Sequence, residues 1–194
     1  KGRTDDYVAT ICKEWIPEVA KLSLAEFFDV FVEQGYFSLD QTRKLCETAK
    51  EYGFKIKLHV DQFTDLGGTA LAAELGATSA DHLDNASPEG VKKLAASDCV
   101  AVLLPGASLY TGTPYPPARA LLENGARVAL STDFNPGTCP SRNLPLMTTL
   151  ACSQMKMSVA EAIVGVTYNA AAAVGMEKVI GSLEVGNNFR VCQF

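Results

Sequence analysis

The sequence has only two histidines and one tryptophan in 194 residues. No run of about eighteen apolar residues occurs, so no segment reads as a membrane-spanning helix. The opening Lys1-Gly2-Arg3-Thr4-Asp5-Asp6 lacks the apolar middle of a signal peptide, and a soluble, cytoplasmic chain without a membrane partner is expected. There is no C-x-x-C pair. The six cysteines (Cys12, Cys46, Cys99, Cys139, Cys152 and Cys192) are widely spaced, mostly in apolar surroundings, and read as buried free thiols rather than disulfides or a zinc knuckle. No G-x-G-x-x-G turn or P-loop is present, which argues against a nucleotide-binding sheet. The formal charge is −5 and the basic residues are scattered rather than gathered in stripes, so nucleic acid is a poor guess for a partner.

What is abundant is apolar residues, 47% of the chain, arranged as short apolar runs alternating with helical patterns. Five strands are expected, over 28–33, 55–61, 78–84, 99–105 and 127–133. Several are apolar for most of their length, as strands of a parallel sheet covered on its faces are. The helices are well punctuated. Ser38-Leu39-Asp40-Gln41 reads as a capping box opening a helix to about Tyr52, with Gly53 able to take the left-handed stop. Leu39, Thr42, Leu45, Cys46 and Ala49 share one face of it. Ser87-Pro88 is an N-cap and first-turn proline for a helix to about Ser97, and Gly76 and Gly125 close two more. An opening helix carries Val8, Ile11, Cys12, Trp15 and Val19, with Pro17 expected to kink or end it. After the last strand, 144–155 and a capping box at Ser158-Val159-Ala160-Glu161 predict two closing helices.

Repeated strand-then-helix units belong to an open doubly wound sheet or to part of a (β/α)₈ barrel. The polar residues favour the barrel, whose chemistry gathers at the carboxyl ends of its strands. Both histidines lie there: His59 ends one expected strand and His82 lies near the end of the next. Asp133 closes the last strand before Phe134-Asn135-Pro136-Gly137-Thr138 breaks it. Singly, each is more often a hydrogen-bonded structural residue. Jointly, imidazoles and a carboxylate from different strands suit a catalytic zinc or iron ion, and a histidine outside the ligand set could move protons. The residues alone leave both readings open.

Three segments carry a resemblance: Lys57-Leu58-His59-Val60-Asp61-Gln62, Ser79-Ala80-Asp81-His82-Leu83 and Leu130-Ser131-Thr132-Asp133-Phe134-Asn135-Pro136-Gly137. They resemble the fifth, sixth and eighth strand signatures of the amidohydrolase superfamily, and in detail the imidazolonepropionase family. Gly2–Val8, Asp29-Val30-Phe31-Val32-Glu33, Leu66-Gly67-Gly68 and Gly181-Ser182-Leu183-Glu184-Val185-Gly186 are similar to the same family. The resemblance covers essentially the whole chain. It implies a partial TIM barrel of α/β class, strands four to eight with their helices, and the start of a small β domain near 181–194.

The same resemblance implies hydrolysis of the cyclic amide 4-imidazolone-5-propanoate to N-formimidoyl-L-glutamate by metal-activated water. His59 and Asp133 would hold one zinc or iron ion, and His82 and Asp133 would manage protons. Gln62 would orient the ring, since an amide cannot act as a base. Asn135, Gly137 and Thr138 would contact the small-molecule substrate. Departures from the family pattern matter here. No His-x-His pair is present, so two further ligands are expected from a missing N-terminal barrel half, and metal binding by this sequence alone should be weak. Near the end, Asn187-Asn188-Phe189-Arg190 replaces the usual Ala-Asp and apolar strand. A homodimer stays open. The rival readings are another amidohydrolase, such as a cyclic amidase or ring deaminase, and a non-catalytic α/β fragment in which His59, His82 and Asp133 are structural.

Overall fold

A computed structural model describes residues 3–188. Helix α1 (Thr4–Thr10) passes through a π-helical turn (Ile11–Trp15) into α2 (Ile16–Lys21). Alternation then begins with β1 (Phe27–Val32), α3 (Leu39–Glu51), β2 (Lys55–Val60), α4 (Gly68–Glu74), β3 (Ser79–His82) and α5 (Pro88–Ala95). It continues with β4 (Val100–Leu103), α6 (Pro105–Thr111), α7 (Ala118–Glu123) and β5 (Val128–Leu130). Three helices follow, α8 (Leu144–Gln154), α9 (Val159–Gly165) and α10 (Tyr168–Ala172).

The five strands are parallel and lie in the order β1-β2-β3-β4-β5. A doubly wound sheet reverses its strand order at a switch point. Here the order never reverses, which is the winding of a barrel segment, with β1 and β5 as its edges among the described residues. One face of the sheet packs on the helices. Ile56, Leu58, Val60, Ala80, Leu103 and Val128 meet Leu45, Cys46, Leu71, Leu94 and Leu121 there. Each fully buried leucine contributes about 1.5–3 kcal/mol relative to exposure. On the opposite face Val100, Val102 and Ala129 are capped by Ala172 and Ala173 at the end of α10.

The expected helix signals operate as anticipated. Both halves of the capping boxes at Ser38/Gln41 and Ser158/Glu161 form, and the Ser87 hydroxyl accepts from Gly90 N. Gly53, Gly76 and Gly125 follow their helices with φ of +87°, +58° and +88°. Pro17 neither ends nor sharply breaks the opening helix. Its ring would collide with the Lys13 carbonyl in α-helical winding, and the wider π turn just ahead of it accommodates the ring. Trp15, placed on the buried face by its spacing, is instead half exposed beside Tyr7, 5.3 Å away ring to ring.

Three strands are shorter than their apolar runs, the run over 99–105 giving only β4 because Pro105 opens α6. The run over 78–84 leaves the ladder at His82 because His82 and Leu83 have φ of +83° and +62°, a left-handed backbone that cannot continue a strand. The run over 127–133 ends at Leu130 because its neighbour β4 turns into α6 after Leu103, and Ser131 N makes the final bond, to Leu103 O. Residues 181–188 form turns, and the expected small β domain otherwise falls on 189–194, outside the described residues, as does Cys192. Cys12, Cys46, Cys99, Cys139 and Cys152 are free thiols. Among the described residues, no helix is long and apolar enough to cross a membrane.

Candidate metal centre

Strand alternation puts Asp29, Lys57, His59 and Asp81 on the face away from the outer helices. His59 lies opposite Asp81 in register, and Phe31 on the other side. His59 Nδ1 is 2.9 Å from Asp29 Oδ2 and 3.1 Å from Oδ1. Burial alone would lower the His59 pKa, but the hydrogen bond and charge of Asp29, with the charges of Asp81 and Asp133, outweigh it and raise the value. Asp81 shows the opposite balance. Burial pushes its pKa up, against the opposing pull of Lys57, His59 and a Ser79 hydroxyl that donates to it at 2.6 Å.

His82 reaches the same space by a different route. In register with Val60 and two residues after Ala80, a regular strand would point it toward the outer helices. The left-handed backbone at His82 and Leu83 turns the ring back. Such a conformation costs about 1–3 kcal/mol at a non-glycine residue and persists only where its surroundings enforce it. The imidazole is 2% exposed, with Nδ1 3.4 Å from Asp84 Oδ2 and Nε2 3.7 Å from Asp133 Oδ2. The Ser108 hydroxyl, on α6, donates to the other Asp84 oxygen at 3.0 Å.

Asp133 also has positive φ, +50°, and its carboxylate is held by the turn that follows. Asn135 Nδ2 donates to Asp133 Oδ2 at 3.1 Å and to its carbonyl at 2.7 Å. Thr138 Oγ1 donates to the same carboxylate oxygen at 3.3 Å, and Asn135 Oδ1 accepts from Gly137 N and Thr138 N, each at 2.8 Å. Asn135 is thus occupied at both ends of its amide. The structure gives Asn135, Gly137 and Thr138 a definite task, which is to fix Asp133.

One ligand atom from each of His59, His82 and Asp133 lies within 4.8 Å of the others. Donors about 2.0–2.2 Å from a tetrahedral zinc are about 3.3 Å apart. His59 and Asp133 offer imidazole and carboxylate donors of the types that hold zinc or iron, within 4.8 Å of each other, and His82, 3.7 Å from Asp133 and too far for a hydrogen bond to it, faces the same space. Beside it a cavity of about 370 Å³ is lined by Lys57, His59, Asp81, Ser131, Asp133 and the apolar wall of α10. Gln62 is not brought into hydrogen-bonding contact with the trio. It is 8% exposed, its carbonyl accepts from Asn85 Nδ2 at 2.8 Å, and its side-chain amide has no partner among the described residues.

The sequence did not single out Asp29, Asp84 or Ser108. Asp29 interrupts an otherwise apolar strand, and that was the available signal. Lys57 pairs with Asp81 at 3.7 Å below His59, a second charge inside a strand that could have marked the inner face.

Known proteins extend this geometry. The chain is 48% identical over 186 residues to an imidazolonepropionase of Clostridium tetani, and 49% identical over 188 residues to one of Symbiobacterium thermophilum. Each alignment covers 96% of this chain and 44% of the relative, so the chain spans under half the length of these relatives. Among solved structures, an adenosine deaminase from Xanthomonas campestris with bound zinc superposes with a TM-score of 0.74, over 89% of this chain and 45% of that one, at 17% identity. A mutant atrazine chlorohydrolase from Arthrobacter aurescens TC1, complexed with zinc and atraton, gives 0.71 over 91% and 46% at 16% identity. These share the fold, each over a little under half of its own chain. The amidohydrolase family matches residues 31–190, a span that includes every strand tip described above, and the chain belongs to that family.

Proposed function

We propose that this chain supplies the metal and proton-transfer side of an imidazolonepropionase, which opens the ring of 4-imidazolone-5-propanoate with water to give N-formimidoyl-L-glutamate. The observation that carries the reading is the meeting of His59, His82 and Asp133, from three different strand ends, within 4.8 Å. The identity to imidazolonepropionases, 48% and 49%, supports the choice of substrate within the family.

His59 and Asp133 would hold one zinc or iron ion, joined by ligands from outside this sequence. When bound, the ion lowers the pKa of a water toward neutrality and polarises the ring carbonyl. The chain's own residues do the rest. His82 accepts the proton of the attacking water at Nε2 and returns it to the ring nitrogen as the C–N bond opens. Asp133, 3.7 Å from that nitrogen, stabilises the imidazolium formed in between. Gln62 orients the ring through its free amide, and Asn135, Gly137 and Thr138 bound the substrate from the turn that holds Asp133. Burial of His82 keeps bulk water from the proton it carries. Free thiols throughout the described chain suit a reducing, cytoplasmic setting.

The test is turnover of 4-imidazolone-5-propanoate with zinc or iron(II). It should be run on this chain alone and on this chain joined to the part of the Clostridium tetani relative that it does not span. The joined protein is expected to release N-formimidoyl-L-glutamate, and His82→Gln to slow it by about 10²–10⁴-fold. The chain alone is expected to be inactive. A joined, folded protein that deaminates aminopurines and leaves the imidazolone intact would overturn the assignment.

A further inference from the structure

Both histidines have one ring nitrogen against a carboxylate and the other turned to the shared space. For His59 the contact is Nδ1 to Asp29, at 2.9 and 3.1 Å to the two oxygens. For His82 it is Nδ1 to Asp84 Oδ2, at 3.4 Å. Those two atoms are buried and neither makes a hydrogen bond among the described residues; they face each other at 3.4 Å, a contact that a small rotation of either side chain would close into one. Asp84 cannot swing away, because its second oxygen accepts from Ser108, itself 2% exposed.

An ionised carboxylate only accepts hydrogen bonds, so where both ring nitrogens face one the nearer carries the ring hydrogen, for His82 Nδ1 at 3.4 Å from Asp84 rather than Nε2 at 3.7 Å from Asp133. In a neutral imidazole the lone pair is then on the other nitrogen. We infer that Asp29 and Asp84 are a matched pair of positioning residues that hold the hydrogen of His59 and of His82 on Nδ1, so that both Nε2 lone pairs face Asp133. This reverses the tautomer that free histidine prefers in water. A histidine with its hydrogen on Nε2 could neither ligate an ion nor accept a proton at the shared point, so both roles depend on the same device, built twice from different strands. Outer carboxylates of this kind fix ring orientation and raise ligand basicity, and losing one typically costs about 10–100-fold in metal affinity.

The inference refines the metal reading above, yet the tautomers can be measured without an ion. Two histidines give two readily separated sets of ring signals after ¹⁵N-histidine labelling, and His82→Gln assigns them. At a pH where both rings are neutral, both should be Nδ1–H. Asp29→Ala should move His59 alone toward Nε2–H, and Asp84→Ala should move His82 alone. Asp29→Asn and Asp84→Asn, whose amide carbonyls still accept, should restore Nδ1–H and so separate positioning from loss of fold. An Nε2–H ring in the unaltered chain, or a tautomer indifferent to its carboxylate, overturns the assignment. In parallel, zinc affinity should fall about 10–100-fold in Asp29→Ala and recover in Asp29→Asn. Tautomers that move while zinc affinity does not would uphold the assignment and overturn the metal role of His59, so the two readings fail separately.

Discussion

Asp61 and Asp133 end up doing opposite things from nearly identical starting points. Each closes an apolar run at the carboxyl end of its strand, and each has φ of +50°. Asp61 is completely buried, and its oxygens accept from Leu66 N, Gly68 N, Thr69 N and Thr69 Oγ1 at 2.6–3.1 Å. Every lone pair is spent on the loop leading into α4. Asp133 is bound by Asn135 and Thr138 through one oxygen, and that same oxygen faces His82. The difference teaches that position at a strand tip identifies candidates, while the donors around the carboxylate decide which candidate can still act on a ligand. Glu33 sides with Asp61. It accepts from Gln34 N, Phe63 N, Thr64 N and the Thr64 hydroxyl, and so straps the same loop from β1.

The sharpest way to break the comparison is Asp61→Ala, which leaves four buried or half-buried donors unsatisfied. A loss of about 3–4 kcal/mol is expected in urea unfolding, with no change in zinc affinity beyond that of the fold. A smaller loss would mean that Asp61 is less committed to the loop than its contacts indicate.

Glu33→Gln comes next, at about 2 kcal/mol near neutral pH, and it carries a pH signature. Burial raises the Glu33 pKa, but hydrogen bonds from the Thr64 side chain and from Phe63, Gln34 and Thr64 N–H groups outweigh this and lower it. A depressed carboxylate stabilises the fold above its unfolded pKa, about 4.3–4.5, and loses that contribution as pH falls through the folded value. The gap between wild type and Glu33→Gln should therefore be full at pH 7 and shrink below about pH 4.5, as measured by thermal melts across that range.

Ser87→Ala, which removes a single N-cap acceptor from Gly90 N, should cost about 1 kcal/mol in the same assay. Asp133→Asn should be the smallest, within about 0.5 kcal/mol. Asparagine tolerates the left-handed backbone that Asp133 adopts, and no buried donor loses its only acceptor. Zinc binding by that variant should nevertheless fall more than that of any other in the series, read by competition with a chelator. A strongly destabilised Asp133→Asn would erase the distinction between the two aspartates.

Much of the fold was readable because its signals are local. Ser38, Ser87 and Ser158 announce helix starts through their own hydroxyls, and Gly53, Gly76 and Gly125 announce stops through backbone freedom. The site was legible only as positions. His59 faces inward simply because a strand alternates, so its place follows from the period. His82 is out of phase with that period, and only the backbone inversion at His82 and Leu83 corrects it. The partners were invisible because they are tertiary: Asp29 comes from thirty residues away, and Ser108 reaches Asp84 from the far side of β4. The exposed Trp15 has a similar cause, since the π turn alters which residues share a face.

Asp29 has one more consequence, set by where it sits. Among the described residues β1 is an edge of the sheet, and its run Phe27-Phe28-Asp29-Val30-Phe31-Val32 contains a single charge. Without that charge it would be an uninterrupted β-prone hexapeptide along an unpaired rim, the kind of segment on which other chains stack into cross-β aggregates. Wherever β1 is left as an edge, the carboxylate that steadies His59 therefore also acts as a gatekeeper of solubility.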